Sequence, residues 1–267
     1  MFLDNLRKTK SIYNCFYDSE FNAYDDEKSL SIPQEVVSIG ICITNDKGVI
    51  IEKFYSLISL KAAKRISRRC TDITGIRTKD LKDADNFEMV SAKVAKLLKK
   101  YGITKVYCYG LEDKRALDKT VELYDNKRHG KYLSKLLYDV RIDLKKKTRD
   151  KVGDQGLQFL KKICKIDGDV IHDALQDAID LANVYYKINN NGYDEKIYER
   201  LTKEREELSS YKRTRRIKEE NATVVSEELV KHKNKLVDYL EKHDIAHMDN
   251  GAKKAIIDDL NLLFIGE

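Results

Sequence analysis

Apolar positions in the first sixty residues alternate or run in short blocks, whereas later ones recur every three to four residues. Residues 11–18 (SIYNCFYD) are aromatic and β-branched and read as a strand. Residues 35–44 (EVVSIGICIT) form an apolar run of the length expected for a buried strand. The turn signal Asn45-Asp46-Lys47-Gly48 and the run at 49–58 (VIIEKFYSLI) complete a hairpin. Pro33, the only proline, falls just before it, where a loop belongs. Helical spacing takes over near residue 60, and Phe87, Val90, Val94, Leu97 and Leu98 share one stripe over 87–100. Residues 104–109 (TKVYCY) read as a strand, 112–124 as a helix and 135–140 (KLLYDV) as a strand. Helices are expected over 154–164 and 173–188. This order describes an α/β domain with a mixed five-stranded sheet flanked by helices.

The pattern changes after Asn189-Asn190-Asn191-Gly192, a polar break that ends in glycine. The expected domains are therefore 1–190 and a charged helical extension over 191–267. Residues 193–220 are dense in Lys, Arg and Glu, lack Gly and Pro, and read as a long exposed helix. A second helix is expected over 226–243, with Leu229, Val230, Leu236, Val237 and Leu240 on one stripe, and a third over 252–265. Lys212-Arg213-Thr214-Arg215-Arg216-Ile217-Lys218 could grip phosphates in a salt-sensitive way. The alternative is a solvated helix face balanced by nearby glutamates. The end of the chain resembles a helix-loop-helix nucleic-acid module of the SAP type, with Gly251, Ile256, Ile257 and Leu260 at its spacing. A plain helical hairpin or a dimer contact fits it as well.

Composition narrows the class. Charged residues make up 36% of the 267-residue chain, above ordinary globular usage, which agrees with a surface-rich helical extension. The formal net charge of +6 is compatible with a polyanionic partner but does not demonstrate one. The five cysteines are odd in number and widely spaced, with no CxxC pair, so neither a disulfide framework nor a structural zinc site is expected. Cys42 and Cys108 lie in apolar runs and read as core. No apolar run approaches a membrane span and no secretory signal is visible, so the expected setting is cytoplasmic, with no membrane partner.

The candidate chemistry is acidic. Asp18 and Glu20 flank Ser19 at the end of the first strand, and alternate strand residues face the same way. Asp113 opens the helix after Gly110, with Glu112 beside it as a competitor. Asp177 lies five residues beyond His172, an offset of about 140° on one helix, so the pair converges only if His172 sits on the loop before it. Asp173 competes with Asp177, or caps the helix. Each acid alone has a plain structural reading. Four carboxylates gathered in one cleft would repel one another and raise their own pKa values, and hard divalent cations relieve that conflict.

The segments FYDSEFN, YGLEDKRAL and HDALQDA, in this order, resemble the three motifs of the DEDDh family of 3′–5′ exonucleases in the ribonuclease H-like superfamily. CTDITGIRTKDL resembles the family's "ITGI" segment, and QGLQFLKKIC the helix before its third motif. The likeness covers roughly residues 10–188 and is nearest to RNase T and ERI-1-like bacterial exonuclease-domain proteins. It implies two Mg²⁺ or Mn²⁺ ions, with Asp18 bridging them and Glu20 and Asp177 completing the site of the ion that positions water. Asp113 supports the second ion through water, and His172 is the general base. It also implies that Ser19, Phe21, Asn22, Ile76 and His172 touch the terminal nucleotide, although Phe21 could equally be core. The implied function is metal-dependent removal of nucleotides from the 3′ end of RNA or single-stranded DNA. Two other readings stay open. One is a non-catalytic nucleic-acid-binding or regulatory protein. The other is a polymerase-associated proofreading subunit that docks through the helical extension, which could also mediate homo-oligomerisation.

Overall fold

The computed structural model describes residues 12–22, 34–152, 154–242, 249 and 251–255. Beyond Lys218 the side chains of the last long helix are described only at 231, 234 and 235. The chain divides into two units, Met1–Glu199 and Arg200–Glu267.

The first unit is built on a five-stranded sheet in the order β3-β2-β1-β4-β5. β1 (Tyr13–Phe21), β2 (Val36–Asn45) and β3 (Ile50–Leu57) are antiparallel neighbours, whereas β4 (Val106–Cys108) and β5 (Leu137–Asp139) run parallel to β1. β2 is buried along nearly its whole length, as its unbroken apolar run requires. β3 alternates between half-buried and exposed positions, the mark of an edge with one wet face. The hairpin turn is closed by Asn45, whose Oδ1 accepts the N–H groups of Lys47 (3.0 Å) and Val49 (2.9 Å).

The helices are α1 (Arg68–Thr74), α2 (Phe87–Lys100), α3 (Glu112–Glu122), α4 (Arg128–Leu136), α5 (Arg141–Thr148), α6 (Leu157–Ile163), α7 (Ala174–Asn191) and α8 (Glu195–Lys242). A 3-10 turn at Thr78–Leu81 follows α1. α2 buries the expected stripe of Phe87, Val90, Val94 and Leu98 in the main core, against Ile39, Ile41 and Leu117. The first unit is thus a mixed five-stranded sheet flanked by helices, an α/β domain.

Three sequence expectations change. The strand at 135–140 shrinks to Leu137–Asp139, because 135 and 136 close α4. Gly130 in α4 conceals that helix in the sequence. It is there because an added Cβ would lie 2.6 Å from Val121 and 2.8 Å from Phe87. The helices expected over 193–220 and 226–243 are one continuous element, α8. The polar break does end α7, with Gly192 as its cap at φ +73°, but the compact unit continues to Glu199. There Tyr198 donates to the Lys151 carbonyl (2.9 Å) and packs edge-on to Phe159.

In the second unit the described side chains of α8, including the basic run Lys212–Lys218, are exposed from Lys203 onward. Residues 251–255 are helical. The rest of the helix expected at 252–265, and the SAP-type reading that rests on Ile256, Ile257 and Leu260, fall outside the described residues. Among the described residues no helix is long and apolar enough to cross a membrane. All five cysteines are buried, and no disulfide joins them.

Candidate active site

A cleft of about 790 Å³ opens at the end of β1, and Asp18, Glu20, Asp113, His172 and Asp177 all line it. They arrive from three separate parts of the chain. β1 supplies Asp18 and Glu20 at alternate positions, as the strand period dictates. Asp113 comes from the first turn of α3, where the helix dipole favours an anion. His172 and Asp177 come from the start of α7 and the loop before it.

The members of each neighbouring acidic pair have different local surroundings. Asp113 is 7% exposed, and its Oδ1 accepts the Ser19 N–H (3.1 Å) and Oγ–H (2.7 Å). Glu112 points to solvent and pairs with Arg115 one turn on. Asp173 is the N-cap of α7, accepting the Gln176 N–H at 2.9 Å. His172 therefore precedes the helix, as convergence with Asp177 demands. Its φ of +52° lies in the left-handed region, a strained conformation for a residue with a Cβ. Glu20, His172 and Asp177 each offer a donor atom, and these atoms lie within 4.8 Å of one another.

Charge crowding shows in the proton affinities. Burial first, and then Asp113, Glu20, Asp177 and Asp173, hold the Asp18 carboxyl well above the usual range. Burial and the Asp177 and Asp113 charges push Glu20 up to about 8. Burial also raises Asp177 to about 6, and Asp113 to about 6 against the opposing hydrogen bonds from Ser19. The Oδ1 of Asp177 is buried without a hydrogen-bond partner among the described residues. An all-oxygen carboxylate set with such an orphaned atom fits a hard divalent cation.

A stability prediction follows. Raised carboxyl groups favour the fold when protonated, so their contribution is complete below their unfolded values near 4. It is lost as pH rises through about 6 for Asp113 and Asp177 and about 8 for Glu20. In EDTA the melting temperature is expected to fall between pH 5 and pH 8. Added Mg²⁺ or Mn²⁺ should restore it, most at pH 8. A flat EDTA profile would show that the carboxylates do not oppose one another.

The residues expected at the nucleotide divide. Phe21 is half-buried, lining the cleft while also packing on the core. Ser19 lines the cleft too, but its hydroxyl is engaged by Asp113. Asn22 is 4% exposed, and its side chain clamps the next loop, donating to the Arg65 carbonyl (3.3 Å) and accepting the Ser67 N–H (2.9 Å). Ile76 turns away from the cleft and is buried with Val37, Ile66, Cys70 and Leu81. Its place on the wall goes to Ile73 and Thr74, one helical turn earlier on α1. Glu35 fixes the approach to α1, because its buried carboxylate accepts the N–H groups of Lys61 (2.8 Å) and Ala63 (2.6 Å). Tyr109, which the sequence offers as a plain strand residue, lines the cleft, as do Leu157 and Gln158, for which no contact was expected. For Tyr109 the available signal was its place between β4 and Asp113.

A ribonuclease H-like sheet with acids at the end of its first strand and on its last flanking helix defines an exonuclease-type nuclease fold. The chain belongs to the RNase T exonuclease family, whose model matches residues 15–185. That family is one of divalent-metal-dependent 3′–5′ exonucleases. Among solved structures, the chain is similar to the 3′-exonuclease described in 3′-end specific recognition of a histone mRNA stem-loop. That likeness has 18% identity and a TM-score of 0.59, covering 68% of this chain and 65% of that one. The nuclease domain of 3′hExo, a DEDDh family member bound to rAMP, matches at 17% identity and TM-score 0.57, covering 70% of this chain and 96% of that domain. E. coli exonuclease I in complex with a dA16 oligonucleotide matches at 14% identity and TM-score 0.51, covering 71% of this chain but 43% of that one. No curated protein sequence matches the chain significantly.

Proposed function

We propose that this protein is a metal-dependent 3′–5′ exonuclease that hydrolyses the terminal phosphodiester bond of RNA or single-stranded DNA, with His172 as general base. The observation that carries the reading is the meeting of Asp18, Glu20, Asp113, Asp177 and His172 in one cleft from three distant parts of the chain. Asp18, Glu20, Asp113 and Asp177 would hold two Mg²⁺ or Mn²⁺ ions. When bound, the ions would neutralise the carboxylates and supply Lewis acidity at the phosphate. His172, exposed at the cleft and close to Glu20 and Asp177, takes a proton from the attacking water. The water oxygen bonds to phosphorus, the bond from phosphorus to the 3′-oxygen of the preceding nucleotide breaks, that oxygen takes a proton from solvent to become a 3′-hydroxyl, and a nucleoside 5′-monophosphate leaves. Phe21 and Ile73 offer apolar surface to the terminal base. The rAMP and dA16 seen with neighbours of this fold support a nucleotide in this cleft. The reaction is assigned to residues 1–190, and the extension over 191–267 is given no step in it.

The test is incubation of 5′-labelled single-stranded RNA and DNA with the full chain and Mg²⁺ or Mn²⁺. A ladder shortening from the 3′ end is expected. Degradation of neither substrate overturns the reading. His172→Asn is expected to lower kcat by about 10²–10⁴-fold, the usual worth of a positioned base. Asparagine tolerates a positive φ, so the fold should be as stable as the native one. Native kcat in that variant would remove His172 from its role.

A further inference from the structure

The side chain of Lys161, on α6, is 2% exposed and forms a close ion pair with Asp180 of α7, itself 4% exposed. Burying such a pair is costly, and an apolar pair of similar volume would hold two helices together at least as well. The pair is therefore poorly explained as a helix clamp alone. Its directional bonds reach further. Lys161 Nζ also donates to the Asp169 carbonyl (3.4 Å), and Gln176 donates to the other Asp180 oxygen (3.0 Å).

Gln158, one turn before Lys161, reaches the same loop. Its Nε2 donates to Asp169 Oδ1 (2.7 Å), and its Oε1 accepts the Val170 N–H (2.7 Å). These contacts fall on irregular chain, where Gly168 (φ +83°) and His172 (φ +52°) both have left-handed backbones. Asp180 lies one turn beyond Asp177 on α7.

We propose that Lys161, Asp180 and Gln158 are positioning residues that lock the loop at 168–172 to α6 and α7 and so set His172 against Asp177. Lys161 is the joint, holding α7 through the Asp180 carboxylate and the loop through the Asp169 carbonyl. Gln158 fixes the loop a second time. None of the three is required to touch the reacting atoms. The inference rests on the exonuclease reading for its kinetic test and on geometry alone for its structural one.

The decisive variant is Lys161→Met/Asp180→Leu, which removes both charges and keeps the volume. It is expected to melt near the native temperature and to keep KM within about twofold. Its kcat should fall about 10²-fold, the cost of misplacing a catalytic group by roughly 1 Å. Amide hydrogen exchange at Asp169–Asp173 should accelerate in the same variant while α2 is unchanged. A folded double variant with native kcat and native loop exchange overturns the inference. If that variant does not fold, Gln158→Leu decides the matter by the same two readouts. An inactive wild-type chain sinks the exonuclease reading instead, and loop exchange then still tests the lock.

Discussion

Asp18→Asn is expected to lose at least about 10³-fold in hydrolysis, a loss of several kcal/mol of transition-state stabilisation. In EDTA it is nevertheless expected to melt at a higher temperature than the native chain. Both effects have one cause. Asp18 sits where Glu20, Asp113, Asp177 and Asp173 all raise its proton affinity, on top of burial. Asparagine is nearly isosteric and carries no charge, so it removes that repulsion while leaving the packing of β1 intact. It also removes one of the four acids proposed to hold the cations. Mg²⁺ or Mn²⁺ should consequently raise the melting temperature of the native chain more than that of the variant. Melting curves with and without metal, beside the ladder assay, check all three statements. A variant less stable than the native chain in EDTA would mean that the site is not electrostatically strained.

Gly40→Ala is expected to cost about 10²-fold or more in kcat without touching a carboxylate. Gly40 lies opposite Asp18 in the β1–β2 register. A Cβ there would stand 2.1 Å from the backbone carbon and oxygen of Ala174 and 2.3 Å from the nitrogen of Leu175. These are backbone atoms at the start of α7, so no side-chain rotation can clear the space. The helix must move off the sheet, taking Asp177 and the preceding His172 away from Asp18 and Glu20. The strain of forcing an extra methyl into a packed interface should also destabilise the fold by about 1–3 kcal/mol. Steady-state kinetics and thermal melting on the same preparation test both. Native kcat in Gly40→Ala would show that α7 can shift without disturbing the site.

Sequence and structure divide the site unevenly. The facing of Asp18 and Glu20 follows from the two-residue period of a strand and was legible at once. The requirement that His172 precede the helix of Asp177 followed from helix geometry alone, and Asp173 as N-cap meets it. Ile76 follows the cap of α1 and is buried in a small apolar cluster, while Ile73 and Thr74 of α1 line the cleft. Ser19 and Asn22 lie beside the acids in sequence, but their polar groups are engaged by Asp113 and by the loop at Arg65–Ser67. No local pattern shows where a side-chain hydrogen bond will go.

The sequence by itself determined β1 to β3, the amphipathic α2 and α7 and the acids that share a strand face, because these depend on periodicities of two and 3.6 residues. Only the tertiary structure decided which acid of each adjacent pair turns inward, why residue 40 must be glycine, and how Lys161 reaches both α7 and the loop before it. Those outcomes depend on contacts between residues far apart in the chain. A cleft assembled from three distant segments is fixed by how helices seat on the sheet, and that seating has no signature within any one segment.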